Sequence, residues 1–200
     1  MPYIVIEGMD GCGKSTQVKL LEERLVQKFG KEHVLVVREP GSTPVAEVLR
    51  NITKGQFGPI TVETEILLMA AARAELKVVI EKALDEGKWV ISDRNYVSSL
   101  AYQGVGHFKI EEVKQVHQTL DLILDPDWFI LLNVSEEKRQ ERLGMRKALD
   151  NIEKRCSEYY KRVCEYYGIF YVSTKRRSCQ INADATVEKV HSDIWEFLNL

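Results

Sequence analysis

Short aliphatic runs alternate with longer amphipathic stretches along most of this chain. Tyr3-Ile-Val-Ile-Glu7, Val34-Leu-Val-Val37, Lys88-Trp-Val-Ile-Ser92 and Trp128-Phe-Ile-Leu-Leu132 are rich in β-branched or aromatic residues and bounded by turn formers, which predicts strands. Their unbroken apolar character suits a parallel sheet covered on both faces, and Val34 to Val37 is expected to be fully buried. The stretches between them carry helical spacing. Helices are predicted over Gly13 to Phe29, Val45 to Ile52, Val62 to Glu86, from Ser98, over Ile110 to Leu124, Ile152 to Tyr167 and Val187 to Leu198. Gly30 and Gly87 follow two of them as stop signals, and Pro126 follows a third. Phe170-Tyr-Val172 and Cys179-Gln-Ile181 read as short extended pieces around the polar turn Thr174 to Ser178. Strand and helix alternate throughout, so the expected architecture is three-layered, α/β/α, on a central parallel sheet of about five strands.

The first strand runs into Gly8-Met-Asp-Gly-Cys-Gly-Lys-Ser-Thr16, which contains Gly8-x-x-x-x-Gly13-Lys14-Ser15. A glycine-rich loop between strand and helix binds phosphate through backbone N–H groups at the helix N-terminus. Gly8, Gly11, Cys12, Gly13, Lys14, Ser15 and Thr16 are therefore the expected ATP-binding loop, with Lys14 as a point charge for the β- and γ-phosphates. Ser15 offers a hydroxyl to Mg²⁺, a hard cation that takes oxygen ligands. The competing reading is a glycine-rich turn that precedes Lys-Ser by chance. Strand and helix on either side favour the phosphate loop, and with it a P-loop NTPase-type fold.

Further candidates lie where open α/β sheets bind ligands, at the carboxyl ends of strands. Arg38 follows the second strand, where a surface arginine before a turn is the plain alternative. Asp93 and Arg94 follow the third; Asp93 can face Ser15 across a Mg²⁺ ion, and Arg94 can grip phosphate bidentately. Arg73 shares a helix face with Ile66, Met69, Ala70, Lys77 and Ile80, so it either meets a ligand or snorkels to solvent. Lys138, Arg139, Arg142, Arg146 and Lys147 crowd one short stretch, either a solvated face or a mobile cationic lid over phosphates.

Composition narrows the field. The 28 basic and 30 acidic residues leave a formal net charge of −2, which argues against binding nucleic acid through many phosphate contacts. The 200 residues, 44% hydrophobic, suit one compact domain. The four cysteines form no C-x-x-C pair and the four histidines are scattered, so neither a zinc site nor a disulfide framework is expected. No signal core or membrane-length apolar run appears, and a cytoplasmic protein without membrane partners is the expectation. Cys12, inside the phosphate loop, is expected to make the protein sensitive to thiol reagents.

The motifs in order resemble the thymidylate kinase family, in its bacterial-type form, along nearly the whole chain. The carriers are the phosphate loop, Arg38-Glu-Pro-Gly-Ser-Thr43, Leu67-Leu-Met-Ala-Ala-Ala-Arg73, Asp93-Arg94 with Ser98-Ser-Leu-Ala-Tyr-Gln-Gly104, and Arg142-x-x-x-Arg146-x-x-x-Asp150-x-Ile-Glu153. The resemblance implies phosphoryl transfer from ATP to dTMP. It implies that Asp10 contacts the sugar 3′-hydroxyl, Arg38 and Arg94 hold the acceptor phosphate, and Arg73 donates to the base O4. Ser98, Ser99 and Gln103 would lie near the base, Met69 against it and Tyr102 against the deoxyribose. Gly11 and Cys12 occupy the place of a loop arginine, so catalytic charge is assigned to Lys14, Arg94 and the lid arginines Arg142 and Arg146, the lid spanning roughly 138–153. A homodimer is implied as well. Met69 stands where the family has phenylalanine, and Asn95 and Asn151 replace a tyrosine and a lid arginine. These departures keep open a kinase for another or a 5-modified deoxynucleoside monophosphate, while a non-catalytic ATP-binding module is the alternative of a different class.

Overall fold

A computed structural model describes residues 2–105, 109–144, 157–173 and 177–200. Its elements follow as β1 (Tyr3–Gly8), α1 (Lys14–Phe29), β2 (Val34–Arg38), α2 (Pro44–Thr53), α3 (Val62–Asp85), β3 (Trp89–Asp93) and α4 (Tyr96–Tyr102). Then come α5 (Ile110–Thr119), β4 (Trp128–Asn133), α6 (Glu136–Gly144), α7 (Ser157–Ser173), β5 (Arg177–Asn182) and α8 (Val187–Leu198). The strands form one parallel sheet in the order β2-β3-β1-β4-β5. This is the expected P-loop NTPase-like α/β arrangement.

Alternation along β1 divides the core. Ile4 and Ile6 face the layer of α1 and α8 with Leu21, Leu25, Ile91, Ile130 and Ile194. Tyr3 and Val5 face the opposite layer, with Leu76, Ile80, Val97, Leu100, Phe129 and Val163. Each fully buried aliphatic side chain contributes roughly 1.5–3 kcal/mol, so the two layers together stabilise the sheet from both faces. Register does the rest. Asp93 pairs with Ile6 of β1 on one side and Arg38 of β2 on the other, so the ends of three strands gather within reach of the phosphate loop.

Four expectations change in detail. Val34, Leu35 and Val36 are only half-buried, because β2 is an edge strand and lacks a neighbour on one side. Helix α4 begins at Tyr96 rather than Ser98, since Asn95 caps it: its side-chain oxygen accepts from the Val97 N–H at 3.0 Å. Helix α5 stops at Thr119 rather than Leu124, and Asp121 turns with φ 51°. Helix α7 runs through 170–172, expected to be extended, because Phe170 packs on Phe129 of β4 and on Tyr166 one turn earlier. Among the described residues no helix is long and apolar enough to cross a membrane.

Candidate active site

The phosphate loop leaves β1 at Gly8, where a side chain is excluded: a Cβ there would lie 2.5 Å from the Leu132 carbonyl oxygen of β4. The loop enters α1 through Gly13, at φ 95°, which only glycine adopts without strain. Lys14 is buried and folds back over the loop, its Nζ donating to Gly8 O at 2.9 Å and Met9 O at 3.0 Å. Ser15 and Thr16 are exposed at the helix start, and Ser15 Oγ donates to Asp93 Oδ2 at 2.9 Å. Cys12, the residue expected to confer sensitivity to thiol reagents, is 2% exposed and packs in the α1 core layer.

Two clefts open at the carboxyl edge of the sheet. One, of about 720 Å³ including its open mouth, is walled by the loop, Asp93 and Arg38. The other, of about 560 Å³ measured the same way, reaches between α2, α3 and α4 to Met69, Arg73, Ser99 and Gln103. They share Asp10, Glu39, Arg50, Lys54 and Arg94. Arg94 borders both, and its backbone sits at φ 76°, an unusual conformation for a residue with a side chain. Ser92 Oγ donates to the Arg94 carbonyl at 2.6 Å and helps fix that turn.

Arg94 is held from all sides. Nη2 donates to Asp10 Oδ1 at 2.6 Å, Nη1 to Ser98 Oγ at 2.8 Å, and the guanidinium carbon lies 5.0 Å from the Tyr102 ring centre. Burial by itself would raise the Asp10 carboxyl, but Arg94 and then Lys14 outweigh it and hold the group well below the usual carboxylate range. Beneath this pair lies Glu7, fully buried. It accepts from Asn95 N–H at 2.9 Å, Ser98 Oγ at 2.9 Å and Tyr167 Oη at 2.8 Å. Glu7 orients the residues that orient Arg94.

At the far end of the second cleft Arg73 is 4% exposed, which removes the snorkelling alternative. Its Nε donates to Glu39 Oε2 at 2.6 Å, Nη1 to Ser99 Oγ at 3.2 Å, and Nη2 to Asn95 O at 3.2 Å. Nη1 also lies 2.6 Å from His117 Nε2. Burial pushes the Glu39 carboxyl above its ordinary value, with Arg73 opposing. Gln103 donates from Nε2 to Glu65 Oε1 at 2.7 Å, while its own buried Oε1 has no partner among the described residues.

The structure therefore brings Asp10, Met69, Arg73, Arg94, Ser98, Ser99, Tyr102 and Gln103 around one cleft and the loop with Asp93 around the adjoining one. Arg38 differs. It is largely exposed, pairs with Glu47 at 2.8 Å and borders the loop cleft only. Of the basic run, Arg142 reaches the loop, with Nη1 3.3 Å from Gly11 O and Nη2 2.8 Å from Ala183 O. Arg139 does not join a solvent-facing set. It is 2% exposed, bonded twice to Glu136 at 2.7 Å, and lies 4.2 Å over the Tyr160 ring. Arg146 and the rest of the expected lid from 145 to 153 lie outside the described residues.

Sequence reasoning passed over Glu7, Glu39, Arg50, His117 and Tyr167. Arg50 had the most readable signal, a cation on a short helix after the second strand; its side chain is mostly sheltered and donates to Pro40 O at 2.8 Å. Glu7 had one too, since an acid inside an apolar strand must find partners.

Fold and site define a P-loop NTPase-like α/β protein whose phosphate loop faces a second, arginine-walled cleft. A family model described as thymidylate kinase matches residues 6–194. A curated thymidylate kinase from Glaesserella parasuis is 39% identical over 99% of this chain and 95% of its own length. Another from Buchnera aphidicola is 40% identical, covering 94% and 90% respectively. The crystal structure of a thymidylate kinase from Ehrlichia chaffeensis superposes with a TM-score of 0.81, 27% identity and 98% coverage of both chains. The chain belongs to the thymidylate kinase family.

Proposed function

We propose that this protein transfers the γ-phosphoryl group of ATP to dTMP, giving dTDP and ADP for thymidine nucleotide supply. The observation that carries the reading is the wall shared by the two clefts: Asp10, Arg50 and Arg94 border both, where a donor and an acceptor phosphate would meet. Phosphoryl transfer asks a protein mainly to align two nucleotides and to neutralise charge spreading over the moving group. In this reading the loop amides and Lys14 hold the ATP phosphates, Arg94 and Arg50 hold the acceptor phosphate from the shared wall, and Arg38 would meet it from the loop-cleft side on leaving Glu47. Asp10 keeps lone pairs for the sugar 3′-hydroxyl, and the Tyr102 ring lies under the deoxyribose.

The donor set suits Mg²⁺. Among the described residues no group of three or more His, Cys, Asp or Glu side chains is placed to hold a metal ion by itself, and Ser15 with Asp93 is the sparse pair of oxygens that Mg²⁺ takes alongside phosphates and water. Bound there, the ion would neutralise charge on the phosphate oxygens. Arg142, beside the loop, and Arg146 supply the remaining positive charge. Charge that arrives only on closure stabilises the transition state more than the open ground state.

Base choice rests on Arg73. A guanidinium carries five N–H donors; Nε, both on Nη1 and one on Nη2 are accounted for by Glu39, Ser99, His117 and Asn95 O, which leaves one Nη2 N–H for a ligand carbonyl. A 4-keto base accepts that bond and a 4-amino base does not. Met69, a flexible thioether on the cleft wall, also favours tolerance of 5-substituted deoxyuridylates. ATP consumption is measured with dTMP, dUMP, 5-hydroxymethyl-dUMP, dCMP and dGMP. The expected result is a kcat/KM for dTMP about 10²-fold above that for dCMP. Faster turnover of dCMP would overturn the base assignment, and no acceptor-dependent turnover at all would leave an ATP-binding module.

The assembly is read as a homodimer. Support comes from an unpaired apolar stripe on neighbouring helices: Val45 and Val48 on α2, and Leu67 and Val78 on α3, all more than half exposed. Free nucleotides as substrates support a cytoplasmic place of work.

A further inference from the structure

His117 is the only fully buried histidine among the described residues, with 0% exposure, and it lines neither cleft. It sits on α5, and among the described residues its contact with Arg73 is what links it to the second cleft. Its Nδ1 is 2.8 Å from the carbonyl oxygen of Val113, one helical turn back. A carbonyl can only accept, so the proton resides on Nδ1. Nε2 then presents a lone pair, and that lone pair faces Arg73 Nη1 at 2.6 Å. The tautomer is dictated by the helix backbone, and the imidazole must be neutral, since an imidazolium would set two cations against each other. Burial, then the Arg73 charge, lowers its pKa to about 4, which agrees with the geometry.

We infer that His117 is a positioning residue for base recognition: its neutral ring fixes the rotation of the Arg73 guanidinium and so selects which N–H is left for the acceptor base. This rests on the reading of Arg73 as the group that meets the 4-carbonyl. Glu39 secures only Nε, and a guanidinium tied at Nε alone still turns about its last side-chain bonds. Ser99 at 3.2 Å and Asn95 O at 3.2 Å are longer, neutral contacts. His117 makes the short one. Without an acceptor there, the buried Nη1 N–H loses its partner, and the guanidinium rotates to regain one and carries the free Nη2 N–H away from the base.

The test uses the full-length wild type and His117→Leu, His117→Asn and His117→Gln, with kcat and KM measured for dTMP, dCMP and ATP. Glutamine can place an acceptor oxygen near the Nε2 position; asparagine is too short, and leucine has none. His117→Leu and His117→Asn are expected to raise KM for dTMP about tenfold and cut the dTMP-to-dCMP preference by a similar factor. Their kcat and KM for ATP should stay within about twofold, and His117→Gln should lie within about threefold of wild type throughout. If the leucine variant does not fold, the contrast between asparagine and glutamine carries the test alone. Wild-type base preference in His117→Asn, or equal losses in the asparagine and glutamine variants, would overturn the inference. A wild type with no preference for the 4-keto base would instead overturn the Arg73 reading beneath it.

Discussion

Arg73 and His117 belong to stretches of sequence 44 residues apart, and each makes sense only beside the other. Burial of His117, with the Arg73 charge beside it, has a stability signature. A histidine with its folded pKa lowered from 6.5 to about 4 stays neutral while the unfolded chain takes up a proton, so stability present above pH 6.5 is lost as pH falls toward 4. The full loss is about 3 kcal/mol by the usual conversion of pKa to free energy. Denaturant melts at pH 7 and pH 4.5 are expected to show a steeper fall for wild type than for His117→Gln. Superimposable pH profiles for the two would refute the assignment. Arg142 invites a kinetic test: Arg142→Ala is expected to lower kcat by about 10² or more while KM for dTMP changes less than about threefold. Side chains such as Lys14, Arg73, Asp93 and Arg94 were legible because a motif or a helix face marks them. Their partners were not. Glu39, His117 and Tyr167 reach the site from distant segments, and no local spacing records a tertiary contact. Arg139 shows the limit from the other side, since a run of like charge does not say which member turns inward to pair with Glu136.

Helices and strands were legible where one period dominated. The sheet, α1, α3 and α8 follow from their apolar spacing. Residues 170–172 misled because aromatic and β-branched residues favour strands, whereas here the helix places Phe170 against Phe129 and Tyr166, and packing overrides propensity. The shortened α5 has a similar lesson: the apolar residues 122–124 are buried or half-buried without being helical. On α2 and α3 the pattern leaves a surplus instead. Leu67, Ala71 and Val78 share one exposed face of α3, beside Val45 and Val48 of α2, and a face of that kind usually meets another surface. Sedimentation is expected to give a dimer for wild type and a monomer for Leu67→Glu combined with Val48→Glu. A wild-type monomer at micromolar concentration would remove the homodimer reading.

Across the whole molecule, acidic and basic residues nearly balance, and the active-site arginines repeat that balance locally. Arg94 has Asp10, Arg73 has Glu39 and Arg38 has Glu47, each at 2.8 Å or less. Leaving Arg73 without its carboxylate would cost about 3–5 kcal/mol, whereas Arg94 keeps Glu7 at 3.7 Å as a second one, so the pairs help to hold the cleft walls folded. On the proposed reading, an incoming phosphate therefore meets Arg94 and Arg38 already paired, beside Lys14 and Arg50, whose side chains donate to backbone carbonyls. It replaces one anion by another, as on an ion-exchange resin already loaded with counterions, and the resident here is tethered to the chain. Exchange of this type releases few salt ions, and buried pairs are weakly screened. KM for dTMP is expected to rise less than about threefold between roughly 50 and 300 mM monovalent salt. Asp10→Asn, which removes the nearer of Arg94's two carboxylates, should make that dependence visibly steeper, and an unchanged slope would mean that the tethered carboxylate takes no part in the exchange. Selectivity against other small anions then comes from a competitor the protein carries in every copy of itself.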